Sequence, residues 1–417
     1  MIPTIQDKEI QTLMQLELER QQNSLQLIPS ENYASPQVLA ASGSVLANKY
    51  AEGYPGRRYY QGNEIIDQAE VLAIERAKKL FGAEHVNVQP LSGVPANLAV
   101  YLALLKPGDK IMAMKLDHGG HLSHGSPVSF SGKWYTFIHY GVDKETGLLN
   151  YDFIRQLARQ ERPKLIISGY TAYPRTIDFK AFDDIAQEVG AYSMADISHI
   201  AGLIAGKAHP SPFPFTDIVT TTTHKTLRGP RSAMIMCKSQ FATAIDKAVF
   251  PGLQGGPHEH TIAAKAIAFQ EALQPEFHEY AQQIIKNAHV LAKTLMEQGI
   301  QLVSKGTDNH LILIDLVKTS TVAQPGMGKT IAVALEEGGL VLNANTIPFE
   351  PASPLTPSGL RLGTPAVTTR GMKEPELQKI GVMIAKVIHN HNDVAVKQQV
   401  RQMVLELCRR FPIYPQL

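Results

Sequence analysis

Apolar positions along the chain recur first at helical spacing and later in short alternating runs. Residues 7–22 place Ile10, Leu13, Met14, Leu16 and Leu18 at intervals close to one helical turn, which predicts an N-terminal helical arm. Residues 29–36 read as a loop, a helix is expected over 37–46, and the Gly- and Tyr-rich stretch 49–62 is too polar and irregular for a regular element. Helical periodicity returns over 64–81 and stops at Gly82, a residue suited to ending a helix.

From residue 86 onward, strand-like and helical segments alternate. Strands are predicted at 86–88, 110–114, 134–140, 164–167, 192–195 and 218–223, with helices at 97–105, 151–160 and 182–189. That alternation argues for an α/β domain built on a mostly parallel sheet, whose ligands bind beyond the carboxyl ends of the strands. A long helical pattern from 261 to 298 is broken near Pro275. Strands at 311–317 and 340–342 and helices at 330–337 and 376–389 then describe a smaller α+β domain. The expected division is an arm over 1–25, a large domain over 26–275 and a small C-terminal domain over 276–417.

Composition narrows the class. Hydrophobic residues make up 44% of the 417 and charged residues 19%, which excludes a disordered chain. A net charge of +2 leaves no global field to hold nucleic acid or an anionic membrane. The two cysteines, Cys237 and Cys408, cannot form a disulfide framework. No apolar run reaches membrane-spanning length and the N-terminus lacks a basic-then-apolar leader, so a cytoplasmic enzyme is expected.

Two strand ends carry the candidate chemistry. One delivers Asp196 and His199; the other delivers His224 and Lys225. A lysine amine forms a Schiff base with the aldehyde of pyridoxal phosphate (PLP), and a carboxylate paired with the pyridine nitrogen keeps that nitrogen protonated. Either residue alone is more at home as a structural Asp or a solvated Lys; the pair, each just after a strand, brings the cofactor reading level with that one. Ser92-Gly93 ahead of a helix and the cluster Gly252, Gly255, Gly256 offer backbone amides to a phosphate. His118, His121 and His124 invite a zinc reading, but the intervening glycines and the lack of Glu or Cys argue against it, and no metal site is expected. The segment Gly326-Met-Gly328-Lys329-Thr330 resembles the end of a P-loop, yet Ala323 stands where that motif needs glycine. Arg361, inside a short apolar strand, calls for an anion: a substrate carboxylate or a buried structural partner.

Six blocks stand in order along essentially the whole chain: Leu27-Ile-Pro-Ser30-Glu31-Asn32-Tyr33, Asn48-Lys-Tyr50-Ala-Glu52-Gly-Tyr-Pro-Gly56, His118-Gly-Gly-His121-Leu-Ser-His124, Thr220-Thr-Thr-Thr-His224-Lys225-Thr226, Phe250-Pro-Gly-Leu-Gln-Gly-Gly256-Pro257 and Arg361-Leu-Gly-Thr-Pro-Ala-Val-Thr-Thr-Arg370. Together they resemble the serine hydroxymethyltransferase family. The resemblance implies a fold-type I PLP enzyme with a mostly parallel seven-stranded sheet. It implies a homodimer with shared active sites, and reversible transfer of the serine hydroxymethyl carbon to tetrahydrofolate to give glycine and methylenetetrahydrofolate. By motif match, Lys225 would hold PLP, Asp196 would pair with its ring nitrogen, His121 would stack on the ring, and His199 would lie near the ring hydroxyl, with Thr171 also at the cofactor. Ser92, Gly93 and His224 would cradle the phosphate, helped by Gly255 and Gly256 from a partner copy. Arg361 would clamp the substrate carboxylate, supported by Ser30 and a partner Tyr50. Glu52, with Tyr60 beside it, would handle a proton; Leu116, Gly120, Leu122 and Asn345 would meet the folate.

Three departures stand out. The family's usual His-Ser-Gly-Ser-Gln-Ala-Asn is Leu91-Ser92-Gly93-Val94-Pro95-Ala96-Asn97 here, which removes a hydroxyl from the phosphate site and an amide from the first helical turn. Pro-Arg-Gly-Gly becomes Pro230-Arg231-Ser232-Ala233. Asn-Lys-Asn becomes Asn343-Ala344-Asn345, dropping a positive charge near the expected folate site. Two alternatives therefore stay open: a folate-independent aldolase acting on 3-hydroxy amino acids, and a non-catalytic homologue with weakened PLP binding.

Overall fold

The computed structural model describes residues 5–416, which form two compact units: Ala34–Gln282, and the N-terminal residues to Tyr33 with those from Gln283 on. The first unit holds a seven-stranded sheet. Its strands are β1 (His85–Asn87), β2 (Lys110–Met114), β3 (Thr136–Tyr140), β4 (Leu165–Ser168), β5 (Tyr192–Asp196), β6 (Ile218–Thr222) and β7 (Ala233–Cys237). Their order is β1-β7-β6-β5-β4-β2-β3, parallel except for β7, which runs against both neighbours. β4, β6 and β7 are buried along their whole length, as strands covered on both faces must be. The apolar face of the helix Gly93–Leu104, with Ala96, Ala99 and Val100, packs in a cluster with Ile111, Leu165, Met194, Ile218 and Ile235 from five of these strands.

The helix Glu64–Phe81 ends at Gly82 with φ 72° as its periodicity predicts, and Asp7 caps the helix Lys8–Gln22 through bonds from Glu9 N and Ile10 N. Other boundaries shift. The helix expected from residue 97 starts at Gly93, since Pro95 is accommodated in a first turn that needs no amide there. Residues 49–62 contain a small hairpin, Gly53–Tyr54 against Arg57–Arg58. β7 and the long terminal helix Val394–Arg410 are among the elements the periodicity did not mark.

The second unit is built on a three-stranded antiparallel sheet, β8 (Leu311–Asp315), β9 (Asn343–Asn345) and β10 (Gly359–Gly363), in the order β8-β10-β9. The N-terminal segment belongs to this unit, whereas a separate arm ending at residue 25 was expected. Leu25 and Gln26 pair with Leu340 and Val341, and Leu25 and Leu27 are fully buried in its core. The Arg370 guanidinium donates to Gln21 O, Gln22 O and Ser24 O as well as Phe411 O and Cys408 O, satisfying carbonyls left over at two helix ends. The division at 282/283 falls within the helix Pro275–Glu297, seven residues beyond the expected 275/276. Among the described residues no helix is long and apolar enough to cross a membrane.

Candidate active site

Five chain segments at the carboxyl edge of the large sheet converge on one small cavity, lined by Gly93, His121, His124, Tyr170, Thr171, Asp196, Ser198, His199, Thr222 and Lys225. The segments follow β1, β2, β4, β5 and β6, where a parallel sheet turns its loops toward a ligand. Backbone packing makes the convergence tight. Gly169 follows β4 at φ 101°, and a Cβ there would lie 1.9 Å from Asp196 O. A Cβ on Gly120 would lie 2.3 Å from Met114 O, so this glycine sets the path of the histidine loop.

Asp196 is buried at the end of β5. Its Oδ2 accepts from Asn97 Nδ2 at 2.9 Å and from His124 Nε2 at 3.1 Å; its Oδ1 accepts from Ser198 N at 3.1 Å. Burial works to raise its pKa, but the His124 hydrogen bond, the nearby imidazoles and Asn97 outweigh it and hold the carboxyl well below the usual range. Asp196 is therefore a fixed anion facing the cavity. The Thr171 hydroxyl donates to Gly120 O at 2.8 Å, tying the β4 loop to the histidine loop. Thr226 Oγ1 donates to His199 O at 3.0 Å and ties the Lys225 loop to the β5 loop.

Gly93 begins a helix whose first amides have no partner within it, and Ser92 stands at its N-cap without a capping bond from its side chain. His224 Nδ1 is buried with no hydrogen-bond partner, and desolvation, then the charges of Lys225 and Arg231, push the imidazole down to about 3. A primary amine, a permanent carboxylate, an imidazole wall, an anion-ready helix start and an orphaned buried ring nitrogen fit PLP, which presents an aldehyde, a pyridine nitrogen, an aromatic face and a phosphate. The three histidines do not form a metal set. His118 Nδ1 accepts from Val142 N, and His124 faces Asp196. Among the described residues no group of three or more His, Cys, Asp or Glu stands ready for a metal ion.

Other expected site residues lie elsewhere. Tyr50, Glu52, Gly255 and Gly256 cluster together: Tyr50 Oη donates to Glu52 Oε1 at 3.3 Å, and Cβ atoms on Gly255 and Gly256 would approach Glu52 Oε1 and the Tyr50 ring to 3.1 and 3.2 Å. Tyr60 packs edge-on against Tyr50 at 5.2 Å. Glu52 and Gly255 line an open cleft that shares no residue with the Lys225 cavity. Leu116 and Leu122 are exposed on either side of Gly120. In the second unit, Arg361 on β10 donates from Nε to Asn343 Oδ1 at 3.1 Å, and burial lowers its pKa to about 10, which leaves it charged at neutral pH. Asn345 Nδ2 donates to Thr346 O, and Ser30 follows the strand-like segment that pairs with residues 340–341. The P-loop likeness dissolves: Gly326 N and Gly328 N are taken by Ser358 Oγ and Pro357 O.

His124, Tyr170, Ser198 and Thr222 line the cavity, and Asn97 bonds to Asp196; motif reading did not single out any of them for the site. His124 was visible as the third histidine of its block. Asn97 sits in a conspicuous motif too, but its tie to Asp196 spans 99 residues.

Fold and cavity together define a fold-type I PLP-dependent enzyme. The chain matches the serine hydroxymethyltransferase family over residues 4–384 and belongs to that family. It is 58% identical to the serine hydroxymethyltransferase of Synechococcus sp. (strain JA-3-3Ab) over 419 aligned positions, covering 99% of this chain and 96% of that one. It is 57% identical to those of Prochlorococcus marinus (strain MIT 9301) and Nostoc sp. (strain PCC 7120 / SAG 25.82 / UTEX 2576), covering 98% and 99% of this chain and 96% of each relative. The chain is a PLP-dependent one-carbon transferase that interconverts serine and glycine with tetrahydrofolate as co-substrate. These relatives lend no support to a folate-independent aldolase or a non-catalytic homologue.

Proposed function

We propose that Lys225 holds PLP covalently while Asp196 pairs with the ring nitrogen, His121 stacks on the ring, and His199 and Thr171 border the ring hydroxyl. Ser92, Gly93 and His224 hold the phosphate. When bound, PLP supplies an electron-accepting ring that spreads the charge left at the substrate α-carbon. The protein does the rest. Asp196, anionic under three donors, keeps a proton on the nitrogen opposite it. Arg361 and Ser30 bind the substrate carboxylate, with the guanidinium still charged at neutral pH. Glu52, beside Tyr50 and near Tyr60, handles the proton at the substrate hydroxyl. Leu116, Gly120, Leu122 and Asn345 receive the folate.

The protein works as a homodimer whose sites are shared. The separation of the Glu52 cleft from the Lys225 cavity within one chain carries this reading, because Tyr50, Glu52, Gly255 and Gly256 then serve the site of the partner copy. Two buried free cysteines accord with a cytoplasmic location. Subunit complementation tests the sharing. Lys225→Ala and Glu52→Ala are each expected to be inactive; after mixing and subunit exchange, hybrid dimers carry one intact site and restore about a quarter of native activity. No recovery despite demonstrated exchange would put both groups in one chain.

A further inference from the structure

Three donors converge on Asp196, and one of them also reaches a second wall of the cavity. Asn97, 1% exposed, donates from Nδ2 to Asp196 Oδ2 at 2.9 Å and to Ser123 Oγ at 2.9 Å. The Ser123 hydroxyl lies 2.7 Å from His121 Nδ1, and Thr220 Oγ1 donates to Asn97 Oδ1 at 2.7 Å.

The direction of every proton in this chain follows from Asp196. An ionised carboxylate only accepts, so the amide NH2 of Asn97 faces it and the amide oxygen faces Thr220. The second N–H of Asn97 then points at Ser123 Oγ, which turns its own proton toward His121 Nδ1. That ring nitrogen also accepts from Ser123 N at 3.2 Å, so the His121 ring proton sits on Nε2. His124 is ordered the same way: its Nδ1 accepts from His121 N at 3.3 Å, leaving Nε2–H for Asp196. Tyr101, fully buried, donates to Ser123 O at 3.0 Å and holds the loop in register. Asn97 lies one helical turn past Gly93, so a single helix joins the anion-ready end of the cavity to this network.

We propose that Asn97 is a positioning residue of the PLP site: its one amide group orients Asp196 and, through the Ser123 hydroxyl, sets the tautomer and tilt of the His121 ring. The two side chains that meet the cofactor ring, one at its nitrogen and one on its face, thereby answer to a single group. This rests on the assignment of Asp196 and His121 to that ring.

The test measures the PLP dissociation constant and the absorption of bound PLP against pH for full-length Asn97→Ala, Ser123→Ala, the double variant, Asp196→Asn and His121→Ala. Asn97→Ala is expected to weaken PLP binding about tenfold and Ser123→Ala about threefold, the losses of a hydrogen bond to a charged and to a neutral group. Both shift the pH midpoint of the spectrum, and the double variant binds no more weakly than Asn97→Ala, since Ser123 acts through the same chain. Native affinity and midpoint in Asn97→Ala, or losses that multiply in the double variant, would overturn the proposal. If Asn97→Ala fails to fold, an unchanged midpoint in Ser123→Ala overturns it. Native affinity and spectrum in both Asp196→Asn and His121→Ala would instead remove those two residues from the ring, a separate failure.

Discussion

Arg58 Nη2 and Glu70 Oε2 stand 2.6 Å apart with both side chains almost sealed from solvent. The same guanidinium donates from Nη1 to Ala51 O at 2.7 Å and Gly53 O at 2.9 Å, the carbonyls on either side of Glu52. Gln89 Nε2 adds a bond to Gly53 O and another to Glu70. A buried ion pair therefore reaches out to hold the short loop that presents Glu52.

Arg58→Met should break this anchor. It strands Glu70 in the interior, and removing one partner of a buried pair costs about 3–5 kcal/mol. Urea unfolding should show that loss. Arg58→Lys keeps the charge but not the planar fork that grips two carbonyls and two carboxylates, and should fall between the two proteins in both stability and kcat. A native-like Arg58→Met would contradict the anchoring role.

Glu259 gives the fold a pH dependence. Its carboxyl is 1% exposed, neither oxygen has a hydrogen-bond partner, and its nearest ion-pair contact is Arg58 Nη2 at 3.6 Å. Burial, then the charge of Glu70, pushes it up to about 8, while Arg58 and Lys265 pull the other way and Asp67 adds to the rise. An unfolded glutamate titrates near about 4.3. The folded chain thus keeps an extra proton between these values, and the stability that proton supplies is complete below the lower value and lost as the pH climbs to about 8. Lys265 acts in a higher window and the opposite sense. Full burial lowers it to about 7, so its contribution is lost as the pH falls toward that value. Glu259→Gln, permanently neutral, is expected to flatten the decline in unfolding free energy between about pH 5 and pH 7. Equal slopes in urea titrations of both proteins would rule out a protonated Glu259.

Val94→Ser should tighten PLP binding. Val94 lies in the first turn of the helix Gly93–Leu104 and is 41% exposed, so the exchange restores a hydroxyl at the anion-ready end without opening the core. A gain of about fivefold in affinity is the expected size for one added hydrogen bond. Unchanged affinity in a PLP titration would mean that the remaining groups already saturate the phosphate.

Ala344→Lys should act on folate alone. Ala344 sits in β9 opposite Leu360, partly exposed between Asn343 and Asn345. A lysine there returns a positive charge suited to an anionic co-substrate. The expected result is a severalfold lower KM for tetrahydrofolate, weakening with added salt, and an unchanged KM for serine. A shift in the serine KM instead would put position 344 at the amino-acid end of the site.

Local patterns in the chain were enough for much of the architecture. The helix Glu64–Phe81 was readable because its periodicity and its terminating glycine depend only on near neighbours. Strands such as Leu165–Ser168 and Ile218–Thr222 were readable because a strand buried on both faces is an unbroken apolar or β-branched run. Lys225 and Asp196 stood out because each stands at or just beyond the end of a strand. The antiparallel β7 was missed because a short buried strand resembles its parallel neighbours and its direction is set only by pairing with β6 and β1.

What the residue order determined by itself, then, is whatever depends on a side chain and its next few neighbours: element types, helix ends, and the amine and carboxylate at strand ends. Tertiary structure alone decided the remainder. Asn97 meets Asp196 across 99 positions, Arg370 reaches residues 346 to 349 positions away at the N-terminal helix, and Glu259 has its pKa raised by burial and by the charge of Glu70. Hydrogen bonds and charge interactions act over a few ångströms of space, and only the folded chain brings such distant positions that close.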